Sequence, residues 1–185
     1  MFYGPAGAGK TTLLLTIASN LCTRHLCVYI STEETTHYER VARFPEKYEK
    51  TLFTEAYDMD TFVKVALATY LLKPLYIFAD SINALFRLES LKENTLAKQA
   101  LATSLLLEAT RSSGGKLFAS AQIRAGESGG VEAPGGKIVD YYFDAIIGVF
   151  VEEPNKRYLK PVKSPIHVYF DKLFFKITDS GVEWL

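Results

Sequence analysis

The sequence predicts an α/β fold: a mostly parallel, twisted sheet flanked by helices, with an antiparallel extension at its C-terminal end. Three observations predict this fold. A glycine-rich turn at residues 4–11 joins a short apolar stretch to a helical pattern. Residues 75–79 form a continuous apolar run, as expected of a strand that is buried on both faces. From residue 143 onward, short strands follow one another across tight turns.

The chain has 185 residues, 48% of them hydrophobic, which is enough to bury one sizeable core. We therefore expect a single domain over residues 1–185, with the antiparallel extension at 143–185. The strand that leads into the glycine-rich turn is a stub of three residues, so an upstream segment is expected. The apolar runs are far shorter than the ~20 residues of a membrane span, so we expect a cytoplasmic protein without membrane contact.

Charge and cysteine content limit the classes of partner. The chain offers no overall attraction to nucleic acid, because its 21 lysines and arginines balance its 21 aspartates and glutamates. Any contact with DNA must therefore come from a local patch. Cys22 and Cys27 have no second cysteine pair and no histidine cluster to complete a metal site, and we interpret both as reduced core residues.

The first half of the chain alternates between helices and strands. Apolar side chains at helical spacing predict three helices, at residues 10–21, 38–44 and about 58–72. Apolar runs predict three strands, at residues 27–30, 52–56 and 75–79. A polar loop at 31–36 follows the first of these strands. The cap of the third helix is either Asp58 or Asp60.

In the second half of the chain, a glycine-rich segment separates a helix and a strand from a series of strands. A polar loop at 88–94 and a helix at 95–111 lead into a strand at 117–121. Residues 124–136 contain five glycines, one proline and no apolar periodicity, which predicts a mobile loop without regular structure. Three further strands are predicted in succession, at residues 143–151, 158–162 and 172–177.

The glycine-rich turn has the spacing of a phosphate-binding loop. Glycines at such positions let consecutive N–H groups turn toward phosphate oxygens at the positive end of a helix dipole. Lys10 would bridge the β and γ phosphates of ATP, and the Thr11 hydroxyl would bind Mg²⁺. The full spacing argues against a chance glycine turn before an amphipathic helix. The predicted nucleotide-binding residues are Gly4, Pro5, Ala6, Gly7, Ala8, Gly9, Lys10, Thr11 and Thr12.

Polar side chains follow three of the predicted strands, at the edge where open α/β sheets bind ligands. Asp80 would hold magnesium, through a water molecule, opposite Thr11. Glu33 or Glu34 would activate the attacking water. Gln122 would contact the γ phosphate and transmit its loss to the glycine-rich loop. Each residue also has a purely structural alternative. Asp80 could belong to a helix cap, the two glutamates to a solvated loop, and Gln122 could be a strand-end residue that faces water.

These segments resemble the ATPase core of the RecA superfamily, most closely the archaeal RadA and RadB recombinase paralogues. Residues 29–33, followed by Glu39 and Arg40, are similar to a family segment whose glutamate activates water and whose arginine stacks on adenine. The resemblance therefore favours Glu33 over Glu34 and adds Arg40 to the nucleotide site. It implies a RecA-like fold and Mg²⁺-dependent ATP hydrolysis, with Lys10, Glu33 and Gln122 as catalytic residues.

The resemblance also implies contacts with DNA and with other subunits. Residues 79–89 resemble the family's magnesium strand and the start of its first DNA loop, which nominates Arg87. The glycine-rich loop takes the place of the second DNA loop, with Arg124 and Lys137 as its basic residues. The implied partners are single-stranded DNA, a recombinase or other protein, and further copies of the chain, with nucleotide bound between subunits.

Two other functions stay open. The pair Glu33 and Glu34 also resembles the KaiC-like branch of the superfamily, whose regulatory ATPases act through protein partners. A small-molecule kinase is a third alternative, although the chain has no evident arginine-rich lid.

The loop at 124–136 is a poor DNA site by charge, since its one arginine is opposed by two glutamates. A better basic cluster, unless it is only a solvated turn, comprises Lys156, Arg157, Lys160 and Lys163.

Overall fold

The computed structural model describes residues 1–33, 37–125, 131–132, 141–167 and 170–185. Helices in these ranges are α1 (Lys10–Leu21), α2 (His37–Arg43), α3 (Met59–Leu72), α4 (Ala84–Leu88) and α5 (Thr95–Ser113). A 3₁₀ turn, Pro45–Tyr48, follows α2. The strands are β1 (Phe2–Gly4), β2 (Cys27–Ser31), β3 (Thr51–Glu55), β4 (Tyr76–Asp80), β5 (Lys116–Gln122), β6 (Arg124–Ala125), β7 (Val131–Glu132), β8 (Ile146–Glu153), β9 (Lys156–Lys163), β10 (Leu173–Thr178) and β11 (Gly181–Trp184).

The main sheet has the strand order β11-β10-β9-β8-β1-β5-β4-β2-β3. The six strands from β8 to β3 run parallel, and β9, β10 and β11 extend the sheet in antiparallel fashion. Strand β1 lies at the centre of this sheet, between β5 and β8. The turn that follows β1 therefore emerges at the carboxyl edge of the parallel strands, where α/β folds bind ligands.

The expected antiparallel extension at 143–185 begins one strand later than predicted. Strand β8 is parallel to β1, with Phe2 opposite Ile147, and the first antiparallel pair is β8 with β9. Strand β8 lies beside β1 and has the same direction as β1 and β5. Apolar alternation reveals a strand but not its direction, which explains the difference.

Two apolar layers cover the sheet. On one face α3 and α5 cover the strands, and Phe62, Leu106 and Ile77 belong to the same buried apolar cluster. On the other face α1 packs on an aromatic row that includes Tyr29 and Phe78, whose rings stack at 5.8 Å. All five residues of β2 are buried, as expected of a strand that is covered on both sides.

Helix boundaries agree closely with the sequence patterns. Helix α1 spans the predicted residues, and Asp58 caps α3 by accepting a hydrogen bond from the Thr61 N–H at 2.6 Å. Asp60, the alternative cap, instead pairs with Lys98 of α5 at 2.7 Å. Among the described residues, no helix is both long and apolar enough to span a bilayer.

The prediction of no regular structure at 124–136 is wrong at two short segments. Strands β6 and β7 form an antiparallel ladder in which Arg124 lies opposite Glu132. Such a ladder is held by backbone hydrogen bonds and needs no apolar periodicity, so no sequence pattern indicates it. Residues 126–130 and 133–136 lie outside the described part of the chain.

The interpretation of both cysteines as reduced is also wrong. Cys22 and Cys27 form a disulfide, with their Cα atoms 5.7 Å apart. The chain turns back between the end of α1 and the start of β2, which brings the two buried side chains together. The pattern of elements placed the two cysteines on separate elements and did not reveal this close approach.

Candidate nucleotide-binding site

The loop between β1 and α1 has the backbone geometry of a phosphate cradle. Gly7 and Gly9 adopt left-handed φ angles of 73° and 102°. A Cβ on Gly7 would meet no atom within 4 Å, so this part of the loop faces open space. Gly9 is the N-cap of α1 and provides no side-chain cap, which leaves the first N–H groups of the helix available to an anion.

Lys10 lies beneath this loop and is buried. Its Nζ donates to the carbonyl oxygens of Gly4, at 2.9 Å, and Pro5, at 2.8 Å. No carboxylate of the described chain lies within ion-pairing distance of it. Burial lowers the pKa of Lys10, and the charges of Asp80 and Glu33 only partly oppose that shift. A buried ammonium held by neutral carbonyls suits a site that receives phosphate.

Asp80 ends β4 and is buried at the bottom of the same cleft. Its Oδ2 accepts a hydrogen bond from the Tyr29 hydroxyl at 2.9 Å, and its Oδ1 accepts one from Ser120. Burial and the nearby Asp80 charge raise the pKa of Tyr29 well above its usual range, so the phenol stays a donor. Two hydroxyls thus fix the carboxylate, and Thr11 lines the same cleft.

Glu33 lies at the exposed edge of the cleft, two residues beyond the end of β2. Its Oε1 accepts from the Ser81 hydroxyl at 2.6 Å, and its Oε2 accepts from Gln122 Nε2 at 2.7 Å. Thr32 connects the ends of β2 and β4, because its hydroxyl donates to the Ser81 carbonyl at 2.6 Å. Glu34 lies outside the described residues, so the preference for Glu33 stays a prediction.

Gln122 ends β5 and lines the cleft, as the sequence predicts for its position. Asn83 exchanges two hydrogen bonds with the Gln122 backbone, at 3.0 and 3.1 Å. The Gln122 side chain lies between two charged groups, since Oε1 accepts from Arg87 Nη1 at 2.6 Å while Nε2 donates to Glu33. The role of Gln122 as a phosphate sensor stays a prediction.

Arg40 of α2 and Ile177 of β10 line the cleft from two separate elements. An ion pair between Arg43 and Asp179, 3.6 Å apart, connects the same two regions. One guanidinium nitrogen of Arg40, Nη1, is buried and has no hydrogen-bond partner within the described chain. This placement is compatible with the predicted stacking of Arg40 on a base.

Together these residues enclose a cleft of about 740 Å³, within the usual size range of small-molecule sites. The cleft is lined by the phosphate loop and by the predicted residues Glu33, Arg40, Asp80 and Gln122. Its donors and acceptors fit a magnesium nucleotide. The loop N–H groups and Lys10 suit phosphates, while Thr11 and Asp80 offer oxygen ligands of the kind Mg²⁺ takes.

Of the three residues predicted to bind DNA, only Arg87 has a side chain in the described part of the structure. Arg87 lies in the cleft, hydrogen-bonded to Gln122, because α4 starts close behind β4 and keeps its first turn beside the strand ends. Arg124 belongs to β6, and Lys137 lies outside the described residues.

Two residues of the basic cluster on β9 contact different parts of the chain. Lys156 pairs with Glu152 at 2.9 Å. Arg157 donates to the Pro154 carbonyl at 3.4 Å and lies beside Gly9 of the phosphate loop.

Sequence reasoning missed four residues that hold the predicted groups in place. They share a polar side chain within a strand or in the three residues after one: Tyr29, Ser81, Asn83 and Ser120. The signal for Ser120 was a hydroxyl within the apolar run of β5. Ser81 directly follows Asp80, so its position at the site was visible, but its bond to Glu33 was not.

Comparison with known proteins supports the resemblance. No family model matches the chain. The DNA repair and recombination protein RadB of Methanocaldococcus jannaschii is 24% identical over 194 residues, which cover 98% of this chain and 90% of the relative. This similarity does not favour the KaiC-like alternative. Together with the parallel sheet and the cleft at its carboxyl edge, it confirms the predicted resemblance to RadA and RadB and the RecA-like fold.

Proposed function

We propose that this protein binds ATP with Mg²⁺, hydrolyses it, and thereby assists homologous recombination or DNA repair. The observation that carries the proposal is the convergence of Lys10, Asp80 and Glu33 on one cleft beside the phosphate loop. These residues come from three different segments of the chain. Lys10 supplies a cation, Asp80 supplies a carboxylate that can bind the metal ion, and Glu33 supplies a base. Phosphoryl transfer to water requires all three groups.

Binding is assigned to the buried part of the cleft. ATP would supply the electrophilic γ phosphate, and bound Mg²⁺ would neutralise part of the phosphate charge. Lys10 would exchange its two carbonyl partners for phosphate oxygens, which are stronger acceptors for an ammonium. Asp80, whose carboxylate is held by Tyr29 and Ser120, lines the same cleft as Thr11, and the two would hold Mg²⁺.

Hydrolysis is assigned to Glu33. Its carboxylate is exposed, so water reaches it from solvent, and it accepts a proton from the water that attacks the γ phosphate. Ser81 and Gln122 hold the two oxygens of Glu33 and limit its rotation. A base in a fixed position orients the attacking water as well as deprotonating it.

The test of the enzymatic part is phosphate release from ATP, measured with Mg²⁺ and with excess EDTA. We expect ADP and free phosphate to form only with the metal, and Asp80→Asn to require more Mg²⁺ for the same rate. Glu49→Gln, which replaces an exposed carboxylate on another loop, serves as the matched control. Formation of a phosphorylated metabolite in place of free phosphate would support a small-molecule kinase.

The role in recombination or repair rests on the full-length similarity to RadB, whose name assigns it to DNA repair and recombination. Because the formal net charge of the chain is zero, we expect only modest affinity for single-stranded DNA. Filter binding at low salt, with and without ATP, should give a salt dependence that corresponds to a few phosphates. Absence of binding in both nucleotide states would contradict the DNA part of the proposal.

A second part of the proposal concerns assembly with a recombinase, another protein partner or further copies of this chain. The family resemblance implies that nucleotide binds between subunits, so we expect ATP to strengthen self-association. Light scattering at increasing protein concentration, with ATP, with ADP and without nucleotide, tests this expectation. A monomer in all three conditions would rule out a shared nucleotide site.

A further inference from the structure

A continuous chain of hydrogen bonds runs from α4 across β5 to the loop after β2. Arg87 Nη1 donates to Gln122 Oε1 at 2.6 Å, and Gln122 Nε2 donates to Glu33 Oε2 at 2.7 Å. The second Glu33 oxygen accepts from Ser81 at 2.6 Å. The carboxylate assigned as the base is thus connected to an arginine whose role the proposed function leaves open.

The chemistry of the end groups fixes the direction of this chain. A guanidinium only donates hydrogen bonds, and an ionised carboxylate only accepts them. The amide of Gln122 lies between the two and meets both needs in a single orientation, with oxygen toward Arg87 and nitrogen toward Glu33. Arg87 therefore selects the amide orientation that presents a donor to Glu33.

The surrounding structure leaves this selection to Arg87. Asn83, itself buried, holds the Gln122 backbone by two hydrogen bonds, so the remaining freedom of Gln122 is in its side chain. Ala84 and Leu85 anchor the start of α4 in the core, which fixes the origin of the Arg87 side chain. Arg87 is half-buried and lines the cleft, and its Nε is buried without a partner among the described residues.

We propose that Arg87 is a positioning residue for ATP hydrolysis, acting through Gln122 to hold Glu33 in place. This role rests on the proposed function and replaces the DNA contact that the sequence predicted for Arg87. The same contact would link the segment after α4 to the site, because a movement of α4 would move Arg87 and change its hydrogen bond to Gln122. Arg87 itself does not accept the proton or bind the attacking water.

The main experiment is a double-mutant cycle on ATP turnover with Arg87→Ala, Gln122→Ala and the double variant. Loss of a charge-assisted hydrogen bond should lower kcat by about 10- to 100-fold in Arg87→Ala, with KM for ATP changed by less than about 3-fold. If Arg87 acts through Gln122, the double variant should be no slower than Gln122→Ala alone. Arg87→Lys should recover part of the rate, because lysine keeps a donor but loses the planar geometry.

A second readout does not depend on turnover. The readout is the NMR signal of the Gln122 side-chain ¹⁵N–¹H₂ group in nucleotide-free protein, which is assigned by its absence in Gln122→Ala. The hydrogen bond to Glu33 should shift this signal from the chemical shift of a solvent-exposed glutamine, which we call the solvent position. Arg87→Ala should move this signal toward the solvent position, and Arg87→Lys should restore it in part. Arg111→Ala, which removes an exposed arginine at the end of α5, is the matched control and should change neither readout.

Three results would overturn the inference. These are multiplicative losses of kcat in the double variant, an unchanged Gln122 signal in Arg87→Ala, and a loss of DNA affinity in that variant with normal turnover. Failure of the proposed function is distinguishable, because the unmodified protein would then release no more phosphate than Lys10→Ala. If the unmodified protein and Arg87→Ala both hydrolysed ATP at the normal rate, the role of Arg87 would be contradicted while the proposed function would stand.

Discussion

The cleft has two regions that are held in place by different means. We call Lys10, Asp80, Tyr29 and Ser120 the floor, and Glu33, Gln122 and Arg87 the rim. Every floor residue is at most 7% exposed, whereas Glu33 is exposed and the other two rim residues are half-buried. The floor is fixed by the core around it and by buried hydrogen bonds to Asp80, whereas the rim is fixed by side-chain hydrogen bonds between three segments.

The difference implies that binding and hydrolysis depend on the fold in different ways. Changes in the floor disturb packing as well as nucleotide binding, because buried polar groups that lose a partner destabilise the folded state. Changes in the rim should alter turnover while the protein stays folded, since exposed side chains contribute little to stability. The experiments below separate these two consequences.

The largest expected effect is on ATP binding by Lys10→Ala. This variant removes the ammonium that now donates to the Gly4 and Pro5 carbonyls, and with it the main cation for the phosphates. Isothermal titration should detect no ATP binding at concentrations that saturate the unmodified protein. Lys64→Ala, which removes an exposed lysine of α3, is the control and should bind normally. Normal ATP affinity in Lys10→Ala would contradict the role of Lys10 in binding the phosphates.

The next largest effect is on stability, in Gly4→Ala. A Cβ at Gly4 would collide with the backbone carbonyl of Val149 in β8, and a backbone atom cannot move aside cheaply. We expect a loss of about 3 kcal/mol in the free energy of unfolding, measured by urea denaturation. Gly7→Ala meets no atom within 4 Å and should lose only about 1 kcal/mol from its left-handed backbone. Equal losses in the two variants would contradict the close approach of β1 to β8.

A smaller stability effect is expected from reduction of the Cys22–Cys27 disulfide. The closed loop is short, with a sequence separation of 5, so the chain-entropy estimate is about 2 kcal/mol. Urea denaturation with and without dithiothreitol measures the difference, and the Cys22→Ala/Cys27→Ala variant should show no response to the reductant. ATP affinity of the reduced protein should be unchanged, since neither cysteine lines the cleft. A reductant response that persists in the double variant would contradict the disulfide.

The smallest effects come from single hydrogen bonds. Ser120→Ala removes a donor to the buried Asp80 and should cost about 1.5 kcal/mol of stability, because that bond goes to a charged group. Gln122→Ala changes the half-exposed rim and should alter stability by less than about 0.5 kcal/mol. Thermal unfolding of both variants in nucleotide-free buffer compares them directly. A larger loss in Gln122→Ala than in Ser120→Ala would invalidate the distinction between floor and rim.

The sequence predicted Lys10 and Asp80 of the floor but missed Tyr29 and Ser120, and it predicted the rim residues without the contacts that join them. The phosphate loop, Lys10 and Asp80 are specified by local spacing and by the end of a buried strand, and local patterns are what a sequence displays. The rim depends on contacts between residues far apart in the chain. Gln122 and Glu33 are separated by 89 positions, and no periodicity indicates their hydrogen bond.

The fold follows the same rule. Helix α1 and the strands from β2 to β5 match their apolar patterns closely, because burial of one face selects the pattern. The direction of β8, the β6–β7 ladder and the disulfide were not predictable, since each depends on how the chain returns to a distant segment. Arg87 was assigned to a loop by resemblance, and only the placement of α4 shows that it lies in the cleft.

The most direct test of the division between floor and rim is one variant measured in two ways. Glu33→Gln keeps the size of the side chain but removes the base, so its ATP affinity should match that of the unmodified protein. Its turnover should fall by at least about 100-fold, the usual contribution of a general base. Glu34→Gln should leave both quantities unchanged. Full turnover in Glu33→Gln, or a loss of turnover in Glu34→Gln instead, would contradict the assignment of hydrolysis to the rim.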